Sequence, residues 1–294
     1  MAGTFRSLRH RNARLFFFGL LLSNIGTWVQ FTAVAILVDR LTGRTTAIGV
    51  LTALQFLPML LLGAYGGAVA DQRDRRTMAI LTQGALALQA VALALFDLTG
   101  TINLGIIYAL TLALGVINAF DNPARRGFVT ELVPEDDIAN AISLNTATMT
   151  GSRIFGPAVA ALLIGPLGTG WLFSINAVSF VAILGSLFLL DQSQLYRAPR
   201  AKRGGTPVRD GLRFIRRSPN LFVPFLAFTV IATFGFNHNV AFPRMSREIW
   251  GAEYWFGWVL TTMSIGSLLG SLLTASRSFV TIRWMVANAL VLGL

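Results

Sequence analysis

"GGAVADQRDRRT", residues Gly66 to Thr77, opens with five uncharged small or apolar residues and then places five charges in six positions. The apolar run before this break is long enough to cross a bilayer, and another follows it. Read outward, the same alternation covers the chain. Of 294 residues, 54% are hydrophobic and 13% charged, with mean hydropathy +0.64; soluble domains carry about 25% charged residues. A helix needs about 20 apolar residues to span the hydrocarbon core. Uncharged runs of that size recur at Leu15–Val38, Ala47–Ala70, Thr77–Phe96, Leu98–Phe120, Leu167–Leu190, Leu221–Pro243 and Tyr254–Ser276. Ile138–Gly165 makes an eighth run, broken only by Arg153, and sits fifth in chain order. A ninth begins at Val280, with Arg283 near its start, and is still apolar at Leu294, so further residues are expected to complete it.

Barrel strands are about 9 to 11 residues of alternating polarity, which these runs are not. The fold class is an all-α membrane bundle. Leu15–Val38 is too long for a signal-peptide core and lacks a small-residue cleavage site, so it stays as span 1. Successive loops assigned to alternate sides put 19 basic residues on one side and Arg40, Arg44, Arg244 and Arg247 on the other, with Arg153 inside a span. The positive-inside rule then makes the N-terminus cytoplasmic and the Gly66–Thr77 turn a cytoplasmic connection between spans 2 and 3. The net charge of +11 lies in loops bordering anionic headgroups, so the lipid bilayer rather than nucleic acid is the expected partner. There is no phosphate-binding loop, no cysteine, two histidines and one lysine, Lys202. No ATP-driven pump, metal centre, cofactor or enzyme is expected from this inventory.

At the turn, Asp71 sits at a helix C-terminus, where the dipole disfavours a carboxylate. Compensation is expected from Arg75, Arg76, Arg125 or the N-terminus of another helix, and Gly66 and Gly67 allow close helix approach. A solvated basic turn that only fixes topology would show the same composition. The spacing of Gly67, Asp71, Arg75 and Arg76, however, fits G-x-x-x-D-[RK]-x-G-[RK]-[RK], and here the chain resembles major facilitator superfamily transporters. Gln72 stands where that pattern has a basic residue and Asp74 where it has glycine. The second departure resembles the branch of bacterial siderophore exporters and related drug efflux proteins. "IGVLTA" at Ile48 and "FGWVLTT" at Phe256 lie 208 residues apart, and that offset also pairs Arg75 with Arg283 and Ala79 with Ala287, as a parallel repeat of two halves would. "NAFDNPARRGFVTELVPEDDIANAISLN", Asn118–Asn145, is closely similar to the same branch. It carries Asp121, Pro123, Arg125 and Arg126 at the end of span 4, Pro134 as a helix stop and Asp137 as the expected N-cap of span 5.

The resemblance implies a six-helix N-terminal half over 1–190, a cytoplasmic central loop over 191–220 and an incomplete C-terminal half over 221–294, in a family of twelve spans. It implies a monomeric, multi-pass transporter of a bacterial inner membrane, exporting a small-molecule substrate by alternating access and drawing on a proton gradient. An importer, or a truncated fragment that does not transport, are the alternatives. Gly67, Asp71, Arg75 and Arg76, with Asp121, Pro123, Arg125 and Arg126, would form a cytoplasmic latch.

Arg153 is the one charge inside a span. A central Arg costs about 2.5 to 3.5 kcal/mol on the insertion scale and usually faces the bundle interior. All thirteen acidic residues fall outside the uncharged runs, Asp39, Asp97 and Asp191 at their ends. The Arg153 partner is therefore a carbonyl, another helix or an anionic substrate. Thr146, Met149, Gly156 and Pro157 share its helical face, and "GSRIFGP" resembles the glycine-proline motif of facilitator antiporters in span 5, which implies export. Span 1 offers Asn24, Thr27 and Gln30 with Phe31, and span 7 offers Thr233 and Asn237. These complete the expected substrate path, although interhelical hydrogen bonding produces similar stripes. His238 and Asp39 are the candidates for proton coupling.

Overall fold

The computed structural model describes residues 5–197 and 238–275, with side chains as far as 268, and isolated positions between 213 and 229. Its long helices are α1 (Arg11–Thr42), α2 (Thr45–Gln72), α3 (Arg75–Leu98), α4 (Leu104–Thr130), α5 (Ile138–Leu189), α6 (His238–Glu248) and α7 (Tyr254–Ala275). The fold is an all-α membrane bundle, as expected. The helix α5 is two helices joined at Gly168, whose φ of 75° and ψ of 177° no side chain would tolerate easily. The break falls close to where the two uncharged runs were expected to divide, so the described part of 1–190 holds six long helical segments. Most of span 7, the start of span 9 and most of the 191–220 loop lie outside the described residues.

Two expected boundaries move. Span 4 is not Leu98–Phe120: α3 runs to Leu98, and Asn103 caps α4 by accepting the Ile106 N–H at 3.0 Å. At its other end α4 continues ten residues past Phe120, because Asp121 and Arg125 lie one turn apart on a single face and pair at 3.1 Å. Span 7 does not stop at Pro243 either, since α6 continues through it to Glu248. The charged turn between α2 and α3 is short because Asp74 caps α3. Its carboxylate accepts from the Thr77 N–H at 2.8 Å and hydroxyl at 2.9 Å, which gives the departure from glycine a structural purpose. Asp137 precedes α5 without capping it by its side chain; its carboxylate is taken by Arg6 and His10.

Small residues set the helix contacts, as expected where apolar side chains gain little by leaving lipid. A Cβ at Gly26 would overlap Ser179, one at Gly156 would overlap Trp28, and one at Gly66 would overlap the Ala119 carbonyl oxygen. That last carbonyl has lost its helical donor, because Pro123 four residues on has no N–H. Gly66 therefore seats α2 on a proline-freed carbonyl of α4, whereas Gly67 faces open space among the described residues.

Two apolar layers form inside the bundle. One, near the N-terminal face, contains Phe16, Leu20, Phe128, Phe180 and Ile183. The other, toward the far face that carries Gly43 and Gly168, contains Val38, Ile48, Leu93, Leu172 and Phe173. Between them lies a belt of buried amides: Gln30 donates to Gln89 at 3.0 Å and accepts from Asn176 at 2.8 Å, joining α1, α3 and the second arm of α5.

Candidate functional site

Three groups of polar residues occupy successive depths. At the N-terminal face, Arg75 lies 3.4 Å from Asp71 and 3.2 Å from Glu131, and also donates to the Gly127 carbonyl at 3.3 Å. Gly127 is needed there, since a Cβ would meet the Arg75 guanidinium at 2.6 Å. Arg76 donates to the Leu187 carbonyl at 2.9 Å, tying the start of α3 to the end of α5. These bonds hold the turn to α4 and α5.

The expected single latch is in fact two assemblies. Asp121 and Arg125 take no part in the Asp71 network: Asp121 is 1% exposed and lies inside the bundle, where its carboxylate also accepts from Thr82 at 2.7 Å and Gln83 at 2.8 Å. Arg126, about 100° further round the helix, is exposed. Pro123 acts on α2 packing as described above. The acid closing the Arg75 network is Glu131, which sequence reasoning missed. The expectation that no carboxylate lies within a span fails for Asp121, inside α4, whereas Asp39 sits in the last turn of α1, at a span end as expected.

Above this pair opens a cavity of about 240 Å³. Of the residues expected on a substrate path, Asn24, Thr27, Gln30, Phe31 and Met149 line it. Arg125 reaches its wall, donating to Asn24 at 3.2 Å and to Asn122 at 3.3 Å. Gln55, Gln89, Asn118 and Asn122 line it as well and were missed, although amides inside uncharged runs are visible in the sequence. Asn239 of α6 completes the wall, so both ends of the described chain contribute.

The structure does not bring Thr146, Arg153, Gly156 or Pro157 to this cavity. Thr146 is exposed and bonded to its own helix at Ile142. Gly156 is consumed by contact with α1, and the Pro157 carbonyl faces Gly257 of α7. Arg153 is exposed, with its guanidinium 5.3 Å from the centre of the Trp28 ring, so an aromatic face meets it where a carbonyl, another helix or an anionic substrate was expected. Thr233 and Asn237 lie outside the described residues, as does the His238 side chain.

Further along α1, beyond the cavity residues Val34 and Ala35, lies a cluster of paired charges. Asp39, 1% exposed, pairs through Oδ2 with Arg247 of α6 at 3.2 Å, while its Oδ1 is buried without a hydrogen-bond partner. Arg40 pairs with Glu253 just before α7, and Arg244 donates to the Gly43 carbonyl that ends α1. Arg244 also pairs with Glu248 one turn on, at 2.8 Å. Apart from the Arg244–Glu248 pair, these contacts join 39–43 to 244–253. Deeper in the same interface, Thr261 of α7 donates to the Ile154 carbonyl of α5 at 3.2 Å.

Known proteins share this architecture and sequence. An uncharacterised MFS-type transporter, YfiS of Bacillus subtilis strain 168, is 27% identical over 283 residues, covering 93% of this chain and 66% of that protein. The staphyloferrin A transporter of Staphylococcus aureus strain NCTC 8325 / PS 47 is 21% identical over 262 residues, covering 88% and 66%. The chain thus spans just under two thirds of the length of these relatives. A crystal structure of a bacterial homologue of the human lysosomal transporter Spinster, in an inward-facing and unoccupied conformation, superposes with a TM-score of 0.63 at 16% identity, covering 91% of this chain and 63% of that one. The model of one family, the transmembrane secretion effectors, matches residues 2–293. With a match over nearly its whole length, the chain belongs to the transmembrane secretion effector family, within the major facilitator superfamily of membrane transporters.

Proposed function

We propose that this protein is a secondary transporter that exports a small organic molecule across a bacterial inner membrane, with its N-terminus in the cytoplasm and proton movement coupled to transport. The observation that carries the reading is the amide-lined cavity, with ion pairs between 39–43 and 244–253 lying beyond its α1 wall. In this reading those breakable contacts close one side of the site, as alternating access requires. Residues 1–190 and 221–294 supply the two bodies, and 191–220 joins them. The family description as secretion effectors and the siderophore-exporter resemblance of Asn118–Asn145 support export.

Asp39 is the coupling carboxylate in this reading. Its ionised form holds Arg247, and its unpartnered Oδ1 adds to the cost of keeping that charge buried. Protonation would weaken the pair and release the far end, so a proton from the outer side would favour outward opening. The residues of the path are Asn24, Thr27, Gln30, Phe31 and Met149, and the turn network around Asp71, Arg75 and Arg76 steadies the cytoplasmic end.

The test is flux in proteoliposomes loaded with fluorescent siderophore and drug-like compounds under an imposed pH gradient. Gradient-dependent movement of at least one compound, lost in Asp39→Asn, is expected. Absence of gradient-dependent movement for the whole panel, with folded protein present, overturns the proposal.

A further inference from the structure

We infer that Arg125 is the group with which the cavity recognises an organic anion, and that Asp121 is an internal counter-ion from which such an anion releases it. The inference rests on the transport reading and adds the chemistry of recognition to it.

Beside the main cavity lies a smaller chamber of about 40 Å³. One water needs about 10 to 15 Å³ by this kind of measure, so about three would fit. Arg125 lines both spaces and forms part of the partition between them, while Asp121 lines only the chamber. The Arg125 side chain is 12% exposed: Nε is held by Asp121 at 3.1 Å, and the terminal nitrogens reach Asn24 and Asn122 on the cavity side. Those neighbours are neutral, so a substrate carboxylate would meet one positive fork and two amides.

Among the described residues, Arg125 is the one ionisable group on the cavity wall, and Arg125 with Asp121 are the two on the chamber wall. The elements packed around Asp121 present Asn24 from α1, Thr82 and Gln83 from α3 and Asn176 from the second arm of α5, none of which ionises in the working range. Among the described residues around it, Arg125 is therefore the one charge that compensates Asp121, beside the neutral donors Thr82 and Gln83. Planar guanidinium matches planar carboxylate in a way that an ammonium does not. An anion that draws Arg125 toward the cavity leaves Asp121 buried and uncompensated, and Asp121 answers by taking up a proton from the chamber. By linkage, anion and proton each strengthen the binding of the other.

The experiment uses the full chain in nanodiscs, with 2-naphthoate and its neutral analogue 2-naphthamide as probes, and equilibrium dialysis with the naphthalene emission of the free probe as the signal. In the wild type, naphthoate affinity should rise as pH falls, while naphthamide affinity stays flat. Asp121→Asn should bind naphthoate at least tenfold more tightly at neutral pH and lose that pH dependence. Arg125→Gln should keep naphthamide binding, which shows that the cavity is intact, and lose the preference for naphthoate. Arg125→Lys is the second variant should the glutamine protein fail to fold, and it should retain part of the preference. An unchanged pH profile in Asp121→Asn, or an undiminished naphthoate preference in Arg125→Gln, overturns the inference. Flux in proteoliposomes is read separately. Flux without an Arg125-dependent preference defeats only the inference, whereas the full binding pattern without flux of any compound defeats the transport reading.

Discussion

Replacing Arg247 by alanine should open the far end of the cavity. Exposed ion pairs contribute about 0.2 to 1 kcal/mol, and stripping a partner from a fully buried pair costs about 3 to 5 kcal/mol. The Asp39–Arg247 pair lies between these cases, with side-chain exposures of 2% and 34% and one Asp39 oxygen already lacking a partner. A hydrogen bond to a charged group is worth about 1.5 to 3 kcal/mol, the range that fits this geometry. If the closed state loses that amount, the open fraction rises by about 10- to 150-fold. The chain has no cysteine, so a single reporter cysteine is unambiguous. Val34→Cys places one on the cavity wall, in the same helix as Asp39. Its rate of modification by a membrane-impermeant thiol reagent, added from outside, should rise with the open fraction in Arg247→Ala. Asp39→Asn should raise it too, and the double variant should show less than the sum, because the two residues act through one bond. An unchanged rate in Arg247→Ala, or strict additivity in the double variant, would refute the reasoning.

Two further outcomes follow from packing. Gly66→Val pushes two methyl groups into the Ala119 carbonyl and should cost about 1 to 3 kcal/mol by overpacking, while Gly67→Ala, facing open space, should stay within about 0.5 kcal/mol; thermal unfolding in detergent compares them. Gln30→Leu leaves the amides of Gln89 and Asn176 without their shared partner and should destabilise by about 1 to 3 kcal/mol, read as a lower melting temperature.

The helices were legible because lipid demands long uncharged runs, and the runs before Thr77 are nearly the helices observed. Legibility failed at α4, where Asp121 and Arg125 look like the start of a loop when counted as charges. As an i,i+4 pair they neutralise one another on one face, and the helix runs on past them. The same counting rule hid the cavity. It directed attention to Arg153, whose guanidinium stacks on Trp28 instead, and away from Gln55, Gln89, Asn118 and Asn122, which carry no charge. Of the span 1 residues, Asn24, Thr27 and Gln30 were readable because their spacing keeps them near one face. Glu131 was not, since only the fold brings it 56 residues back to Arg75. The contacts of Asp39 with Arg247 and Arg40 with Glu253 likewise join positions more than 200 apart, and no local pattern announces them.

The seam where Gly257 of α7 meets the Pro157 carbonyl and Ala161 of α5 has a different mechanical character from the charged closure at the far end. Ion pairs separate all at once, like a clasp, and reform only in one register. A seam of small side chains against backbone has no such register, so in the proposed transport cycle the two halves would turn on it while staying in touch, as an axle turns in a bearing. A bulky residue at Gly257 would then behave as grit: the pocket keeps its ligand, the clasp keeps its charges, and the turnover between them slows.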